Sequence, residues 1–189
     1  MPPKAKFTKE EIIKAAVDLV RQRGIEAVTA RELGARLGSS ARPVFTVFKN
    51  MDEVLSEVGR SAREPYNDYV AEGLKQEKAF KGVGLAYIRF AIEEPNLFRF
   101  LFMGEHDAGV QKILPEIDDN YSAILSSITD DYGMTPQQAE RFYRHLWTYS
   151  HGIATLCATG SCKFTMQEVS GLLNEAGRAF IILLRSEKQ

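Results

Sequence analysis

The stretch over residues 29–48 constrains the fold more than any other, because it encodes two short helices with a tight turn between them. Thr29 and Glu32 have the spacing of a capping box, which predicts the start of the first helix. Two leucines four residues apart then give that helix one apolar face. Gly38 can adopt the left-handed backbone conformation that ends a helix, so the turn is expected there.

The second helix of this pair is expected over residues 41–48. Ser40 is placed to cap it, and Pro43 falls in its first turn, where a missing N–H costs no intrahelical hydrogen bond. Its apolar stripe is formed by Val44, Val47 and Phe48. Its outer face is formed by Ala41, Arg42, Phe45, Thr46 and Lys49. A helix-turn-helix that places its second helix in the DNA major groove fits this pattern, and so does an ordinary helical hairpin in an all-α core.

The first fifty residues are predicted to form a three-helix domain. Thr8 and Glu11 make a capping box before an amphipathic helix that Gly24 ends, and the pair described above follows. Residues 1–50 hold ten Lys and Arg against five Asp and Glu, a net charge of +5. The rest of the chain holds 14 against 20, a net charge of −6. A basic head on an acidic body suits a small module that meets phosphates.

Residues 51–189 are predicted to form a larger helical domain. Asn50 and Glu53 are expected to cap its first helix, and Pro65 is expected to kink or end that helix. Apolar periodicity predicts further helices over residues 79–93, 95–103 and 113–132, followed by two long helices beginning at Thr135 and Thr165. Gly82 is expected to weaken its helix by about 1 kcal/mol relative to Ala. No segment has the period of a strand, so we predict an all-α fold with about nine helices.

The sequence contains no pattern that predicts catalysis, a metal or a cofactor. The acidic pairs at residues 118–119 and 130–131 are typical of a solvated helix face. The histidines lack the spacing of metal ligands, being His106, His145 and His151. Zinc-peptidase, P-loop and nucleophile-elbow motifs do not occur. We therefore expect a protein that is not an enzyme and that binds no metal or cofactor.

Composition places the chain among ordinary globular proteins, with 44% hydrophobic and 26% charged residues. No apolar run approaches the roughly 20 residues that span a bilayer, and the first residues do not resemble a secretory signal. Cys157 and Cys162 suit a reduced chain with structural thiols. These features predict a cytoplasmic protein without a membrane segment.

Short motifs at fixed spacing run through the N-terminal helices. They are Ile12–Leu19, Arg23-Gly24, Thr29-x-Arg31-x-Leu33-Gly34, Leu37-Gly38-x-Ser40, Val44-Phe45-x-x-Phe48-Lys49-Asn50 and Asp52-Glu53-Val54-Leu55. In this order they resemble the TetR/AcrR family of transcription regulators, which favours the DNA interpretation of the helix pair. In the C-terminal part, residues 95–99 and the Trp147-x-x-x-His151-Gly152 motif resemble one subgroup of that family.

The resemblance implies an all-α homodimer that pairs through its last two helices. It also implies binding to a palindromic operator in double-stranded DNA, usually as a repressor that a small ligand releases. The implied DNA contacts are Thr29, Arg31, Ser40, Ala41, Arg42, Phe45, Thr46 and Lys49. Arg42 stands where the family commonly has a small residue, and it could bind guanine N7 and O6 or a phosphate. Pro43 removes a donor and Phe45 replaces the common Tyr, so we expect an operator unlike the family average.

The effector pocket is expected between helices of the larger domain. Its candidate lining residues are Tyr87, Phe90, Phe98, Phe102, Met103, Tyr121, Trp147 and His151. Core packing explains any one of them as well, but as a group they predict an apolar or aromatic effector with few charges. Ligand binding is expected to move the helix that begins near Met51. The alternative function is a helical protein-binding module that has lost DNA recognition.

Overall fold

The computed structural model describes residues 6–104 and 120–186, and these residues form eight α-helices, two short 3₁₀ helices and no strand. The α-helices are α1 Lys9–Arg23, α2 Ala30–Arg36, α3 Met51–Leu74, α4 Ala79–Glu93, α5 Pro95–Phe102, α6 Tyr121–Tyr132, α7 Pro136–Ala158 and α8 Met166–Ser186. The 3₁₀ helices are Ile25–Ala27 and Arg42–Thr46. The predicted all-α fold is confirmed. His106, the acidic pair at 118–119 and the start of the helix expected from residue 113 lie outside the described residues.

Side-chain caps begin most of the helices at the predicted positions. The Glu11 N–H donates to Thr8 Oγ1 at 3.2 Å and the Thr8 N–H donates to the Glu11 carboxylate at 2.8 Å, which completes the capping box of α1. Equivalent boxes begin α7 at Thr135 and α8 at Thr165. The box at Thr29 is only half formed, because the Glu32 carboxylate binds Arg23 at 2.6 Å instead of the Thr29 N–H.

Pro65 does not end a helix. Helix α3 continues without a break from Met51 to Leu74, with Pro65 inside it, so of the two expected outcomes, a kink or a helix end, the helix end is wrong. Proline removes one helical hydrogen bond, but buried side chains at i, i+4 spacing continue on both sides of it. These are Val54, Val58, Ala62, Tyr66 and Val70. Burial of that stripe outweighs the local preference before proline.

The described chain divides into two compact units. The first comprises residues 6–64 and 96–104, and the second comprises residues 65–95 and 120–186. The division falls at Pro65 within α3, and residues 96–102 of α5 belong to the first unit. The predicted domain boundary after residue 50 stays a prediction, while these contacts group the first half of α3 with the N-terminal helices.

The first unit is built around a small apolar core that fixes α2 and the following 3₁₀ helix. Its fully buried side chains include Ile12, Val20, Leu33, Val44, Phe48, Leu97 and Phe98. Helix α5 is attached to α1 because Asn96 Nδ2 donates to the carbonyl oxygen of Arg21 at 2.7 Å. An ion pair of 3.0 Å between Lys9 and Glu57 joins α1 to α3.

The second unit consists of the end of α3 with α4, α6, α7 and α8. Aromatic rings dominate its core: Phe80 contacts the rings of Tyr132, Phe142 and Tyr143, with centroids 5.4–6.4 Å apart. Edge-to-face and tilted contacts at these distances are favourable for aromatic pairs. No helix in the described ranges has both the length and the apolarity needed to cross a membrane.

Candidate DNA interface and ligand cavity

The segment expected to be the recognition helix is a 3₁₀ helix, Arg42–Thr46, instead of an α-helix over residues 41–48. The Val44 N–H donates to the Ala41 carbonyl at 3.1 Å, and the Val47 N–H donates to the Val44 carbonyl at 3.2 Å. Ser40 does not cap it, because Ala41 is the capping residue and makes no side-chain hydrogen bond. Pro43 has no N–H to donate to a helical hydrogen bond. A segment this short is also typical of a 3₁₀ helix, whose i→i+3 hydrogen bonds occur in short runs.

The two faces of this segment are divided as the spacing predicts. Of the apolar stripe, Val44 and Phe48 are buried and Val47 is half-buried. On the other face, Arg42, Phe45, Thr46 and Lys49 are exposed and Ala41 is half-buried. Phe45 is unusual among them, because it is an apolar residue and 47% exposed to solvent. An exposed aromatic residue beside basic side chains is suited to apolar contact with a thymine methyl group.

Two glycines fix the turn that leads into the 3₁₀ helix. Gly38 has φ +64°, the left-handed region that favours glycine, and it ends α2 as predicted. Gly34 lies so close to the turn that a Cβ atom there would be 2.5 Å from the carbonyl carbon and oxygen of Ser40. The close approach of α2 to the turn therefore requires glycine at this position.

Several cations of the first unit are paired with carboxylates. Among them are Lys9 with Glu57 at 3.0 Å, Arg23 with Glu32 at 2.6 Å, Arg36 with Asp18 at 3.4 Å and Arg60 with Glu57 at 3.0 Å. Arg31, Arg42 and Lys49 make no ion pair with any described residue, and all three are exposed. These three are the cations that the sequence predicts to contact DNA, and their charges are not neutralised within the described protein.

The hydroxyl groups that are predicted to contact DNA differ in whether they can still donate a hydrogen bond. Thr46 Oγ1 donates to the Pro43 carbonyl at 2.6 Å, so it is placed to accept a hydrogen bond from DNA. Thr29 Oγ1 accepts from the Glu32 N–H at 3.2 Å and keeps its proton for a phosphate oxygen. Ser40 is exposed and forms no hydrogen bond with the described residues.

A cavity of about 160 Å³ lies within the second unit. It is lined by Tyr66, Phe80, Lys81, Val83, Gly84, Tyr87, Ile124, Tyr132, Tyr143, Leu146, Trp147, Ser150, Leu173, Asn174, Gly177, Arg178 and Ile181. Most of these side chains are apolar or aromatic, which is typical of small-molecule sites. Tyr87 and Trp147 are the predicted ligand residues that the structure brings to this cavity.

His151 belongs to a cluster directly behind the cavity wall. Its ring stacks on Trp147 with centroids 4.8 Å apart, and its Nδ1 lies 2.9 Å from the Tyr87 hydroxyl. Burial lowers the pKa of His151, which favours the neutral imidazole that can accept the phenolic proton. The cluster thus fixes the orientation of the two aromatic side chains that line the cavity.

The other predicted pocket residues lie apart from this cavity. Phe90 is fully buried against the rings of Tyr66 and Tyr69, and Tyr121 contacts the ring of Tyr143 from outside the lining. Phe98, Phe102 and Met103 belong to the first unit. Their predicted part in ligand binding stays a prediction, and the cavity itself supplies no contact with them.

Sequence reasoning did not find the contribution of α8 to the cavity. Asn174, Arg178 and Ile181 line it at i, i+4, i+7 spacing. The buried residues Leu173 and Gly177 of the same helix line it as well. This periodicity is present in the sequence, but two of the three residues are polar, so an apolar stripe does not include them. Tyr66 is likewise missed, because it directly follows Pro65, where the helix is expected to kink or end.

A helix-turn-helix with unpaired exposed cations, in a chain whose separate second helical unit holds a cavity, defines a DNA-binding regulator. Comparison with known families agrees with this class. Residues 12–58 match the family described as bacterial regulatory proteins, tetR family, and residues 80–179 match the family described as tetracyclin repressor-like, C-terminal domain. The chain therefore belongs to the TetR family of transcription regulators.

Individual relatives are distant. An uncharacterized HTH-type transcriptional regulator, YobS of Bacillus subtilis (strain 168), is 21% identical over 162 residues, covering 84% of this chain and 83% of its own length. The crystal structure of a glutamine-to-alanine variant of TetR from Acinetobacter baumannii AYE, in complex with minocycline, aligns with a TM-score of 0.55 and 17% identity. That alignment covers 97% of both chains, and it shows the shared fold.

Proposed function

We propose that this protein is a cytoplasmic repressor that binds a palindromic operator as a homodimer and is released by a small, largely apolar ligand. The observation that carries the proposal is the set of three exposed, unpaired cations: Arg31 on α2, Arg42 on the 3₁₀ helix and Lys49 shortly after it. A cation without a partner in the protein can form charge-assisted hydrogen bonds with a phosphate or a guanine, and no ion pair has to be broken first. The paired cations of α1 and α2 are less suited to that role.

The 3₁₀ helix Arg42–Thr46 is the segment that enters the major groove. Phosphate contacts from Thr29, Arg31 and Lys49 set the position of the domain on the backbone, and these contacts carry no sequence information. Base recognition falls to Arg42, which can bind guanine N7 and O6, and to Phe45 against thymine methyl groups. In a homodimer the two half-sites would be separated by about one DNA turn, roughly 34 Å.

Selection of binding sites from random duplex DNA tests this proposal with the purified full chain. We expect a palindromic winner whose log affinity falls steeply with log salt, by about 0.9 per phosphate contact. Absence of an enriched site, with weak binding that disappears at physiological salt, would contradict DNA recognition. That result would favour the protein-binding module as the function of this fold.

Arg42→Ala is expected to weaken binding to the selected site by about 1–3 kcal/mol and to relax the base preference at one position of each half-site. The reason is the loss of a bidentate guanine contact, whereas loss of a phosphate contact would weaken all sequences alike. Fluorescence anisotropy on the selected duplex and on single-base variants measures both effects. Lys14→Ala is the matched control, because it also removes an exposed, unpaired cation, from α1. Equal losses for both variants would contradict base recognition by Arg42.

The proposed homodimer uses the last two helices. Tyr149 and Leu156 on α7 are large and exposed, and so are Ile182 and Leu183 on α8, where Ile182 is 69% exposed. Large apolar side chains on the same pair of helices are expected at a subunit interface, where burial from water stabilises association. Gly152 lies between the two α7 residues on the same face, and a Cβ atom added to it would meet no described atom within 4 Å, so another backbone can approach there.

Ile182→Asp is expected to convert the dimer to monomers at micromolar concentration. A carboxylate would have to be buried without a partner in the interface, which disfavours association strongly. Sedimentation velocity at several concentrations measures the change, and operator affinity should fall with it. Ile92→Asp is the matched control, since Ile92 is an exposed isoleucine on α4, 40% exposed, outside the proposed interface. A dimer that persists in Ile182→Asp would contradict this interface.

The ligand response is supported by the cavity in the second unit. The structurally similar TetR variant is in complex with minocycline, and the C-terminal family match covers all of the cavity-lining residues except Tyr66 and Ile181. Helix α3 begins at Met51, shortly after the 3₁₀ helix, and Tyr66 of the same helix lines the cavity. A ligand that prefers one position of Tyr66 would bias α3, and couplings of about 1–3 kcal/mol are typical of such responses.

A further inference from the structure

Both charged residues that line the cavity are cations. Lys81 on α4 and Arg178 on α8 both line it, and neither makes an ion pair with a described residue. None of the described lining residues is an aspartate or a glutamate. Two cations from different helices, the half-buried Lys81 and the exposed Arg178, therefore contribute positive potential to a lining that is mostly apolar and aromatic.

Ser150 provides a second, independent observation. This residue of α7 is only 5% exposed, it lines the cavity, and its hydroxyl forms no hydrogen bond with the described residues. The hydroxyl oxygen is accessible from the cavity, so water or a ligand there can supply its hydrogen-bond partner. A hydroxyl that can donate, in a cavity with two unpaired cations, is suited to an acceptor that carries negative charge.

We propose that the ligand of this cavity is a monocyclic aromatic carboxylic acid, bound as its carboxylate, with Lys81, Arg178 and Ser150 as its polar partners. The inference rests on the proposed ligand response and names the chemical class of its ligand. It narrows the sequence-based expectation of an apolar or aromatic effector with few charges to an aromatic ring that carries one ionised head group. An apolar cavity of about 150 Å³ can hold benzene, so about 160 Å³ matches one ring with a small substituent.

The aromatic walls fit the ring of such an acid. Tyr87 and Trp147 line the cavity with their orientations fixed by His151, and flat side chains favour flat ligands through offset or edge contacts. The cations bind the carboxylate at the other end, since a lysine or an arginine forms short, charge-assisted hydrogen bonds with it. An aromatic acid therefore accounts for both the aromatic side chains and the cations that line the cavity.

The test compares benzoate with benzamide, which has nearly the same shape and no charge. Trp147 is the only tryptophan of the chain and lines the cavity, so its fluorescence reports binding to the purified full chain without DNA. We expect benzoate to bind at least about tenfold more tightly than benzamide, as charge-assisted hydrogen bonds are worth more than neutral ones. Lys81→Met and Arg178→Met should each remove most of that preference. Lys163→Met, which removes an exposed cation outside the cavity, should leave it unchanged.

The outcomes separate this inference from the proposed function. Equal or tighter binding of benzamide, failure of both compounds to bind, or full benzoate preference in both Met variants would overturn the acid class while leaving operator binding intact. Benzoate preference in the wild type that is lost in Lys81→Met and Arg178→Met supports it. Release of the selected operator by benzoate is measured in a separate experiment. A protein that binds benzoate but keeps its DNA would contradict only the proposed release.

Discussion

Gly82→Ala is expected to lower the melting temperature of this protein by about 6–12 °C, which corresponds to about 3 kcal/mol for a chain of this size. A Cβ atom at Gly82 would overlap the carbonyl oxygen of Gly73 and would lie 2.9 Å from Cβ of Gln76. In the opposite direction, a Cβ atom at Gly73 would be 2.7 Å from the Gly82 carbonyl. Helices α3 and α4 thus cross through two glycines that face each other. Backbone atoms cannot move aside as a flexible side chain can, so the helices must separate.

Helix propensity alone predicts the opposite sign for this variant. An alanine inside a helix is favoured over glycine by about 1 kcal/mol, so Gly82→Ala should stabilise α4 if nothing lay nearby. Gly177→Ala is the matched control, because a Cβ atom there would meet Leu146 at an ordinary 3.8 Å. Thermal unfolding of both variants at one protein concentration decides the matter. An unchanged or higher melting temperature for Gly82→Ala would contradict the close crossing of α3 and α4.

The ends of the helices could be predicted because their causes are local. Thr8, Thr135 and Thr165 cap helices through residues three positions away, and Gly24 and Gly38 end helices through their own backbone conformation. These interactions need no knowledge of the rest of the chain. The division of residues 41–49 into a buried and an exposed face follows likewise from spacing alone.

The features that could not be predicted depend on contacts between different helices. The continuation of α3 through Pro65 depends on burial on both sides of it, and Glu32 leaves its capping position because Arg23 competes for its carboxylate. From the sequence Gly82 is expected only to weaken a helix, because nothing there indicates that Gly73 faces it. The positive lining of the cavity arises likewise from Lys81 and Arg178, which are almost a hundred residues apart.

Gly34→Ala is expected to abolish specific DNA binding while the second unit stays folded. The substituted Cβ atom would lie 2.5 Å from the Ser40 carbonyl and 2.8 Å from the Ala41 nitrogen, both of them backbone atoms of the turn before the 3₁₀ helix. Either α2 or the turn must move, and the 3₁₀ helix that follows moves with it. Base contacts require placement to within about 0.5 Å, so affinity for the selected site should fall toward the non-specific level, about 10³-fold or more.

Gly59→Ala is the matched control for this prediction, since it makes the same substitution within a helix of the same unit. A Cβ atom at Gly59 would meet Phe100 at 3.8 Å, an ordinary contact, so DNA affinity should be retained and stability should be equal or higher. Anisotropy titrations give the affinities, and circular dichroism with sedimentation shows whether the helices and the dimer remain. Wild-type affinity in Gly34→Ala would mean that the turn can yield without displacing the 3₁₀ helix. In that case the position of Arg42 and Phe45 would not depend on the packing of α2 against the turn.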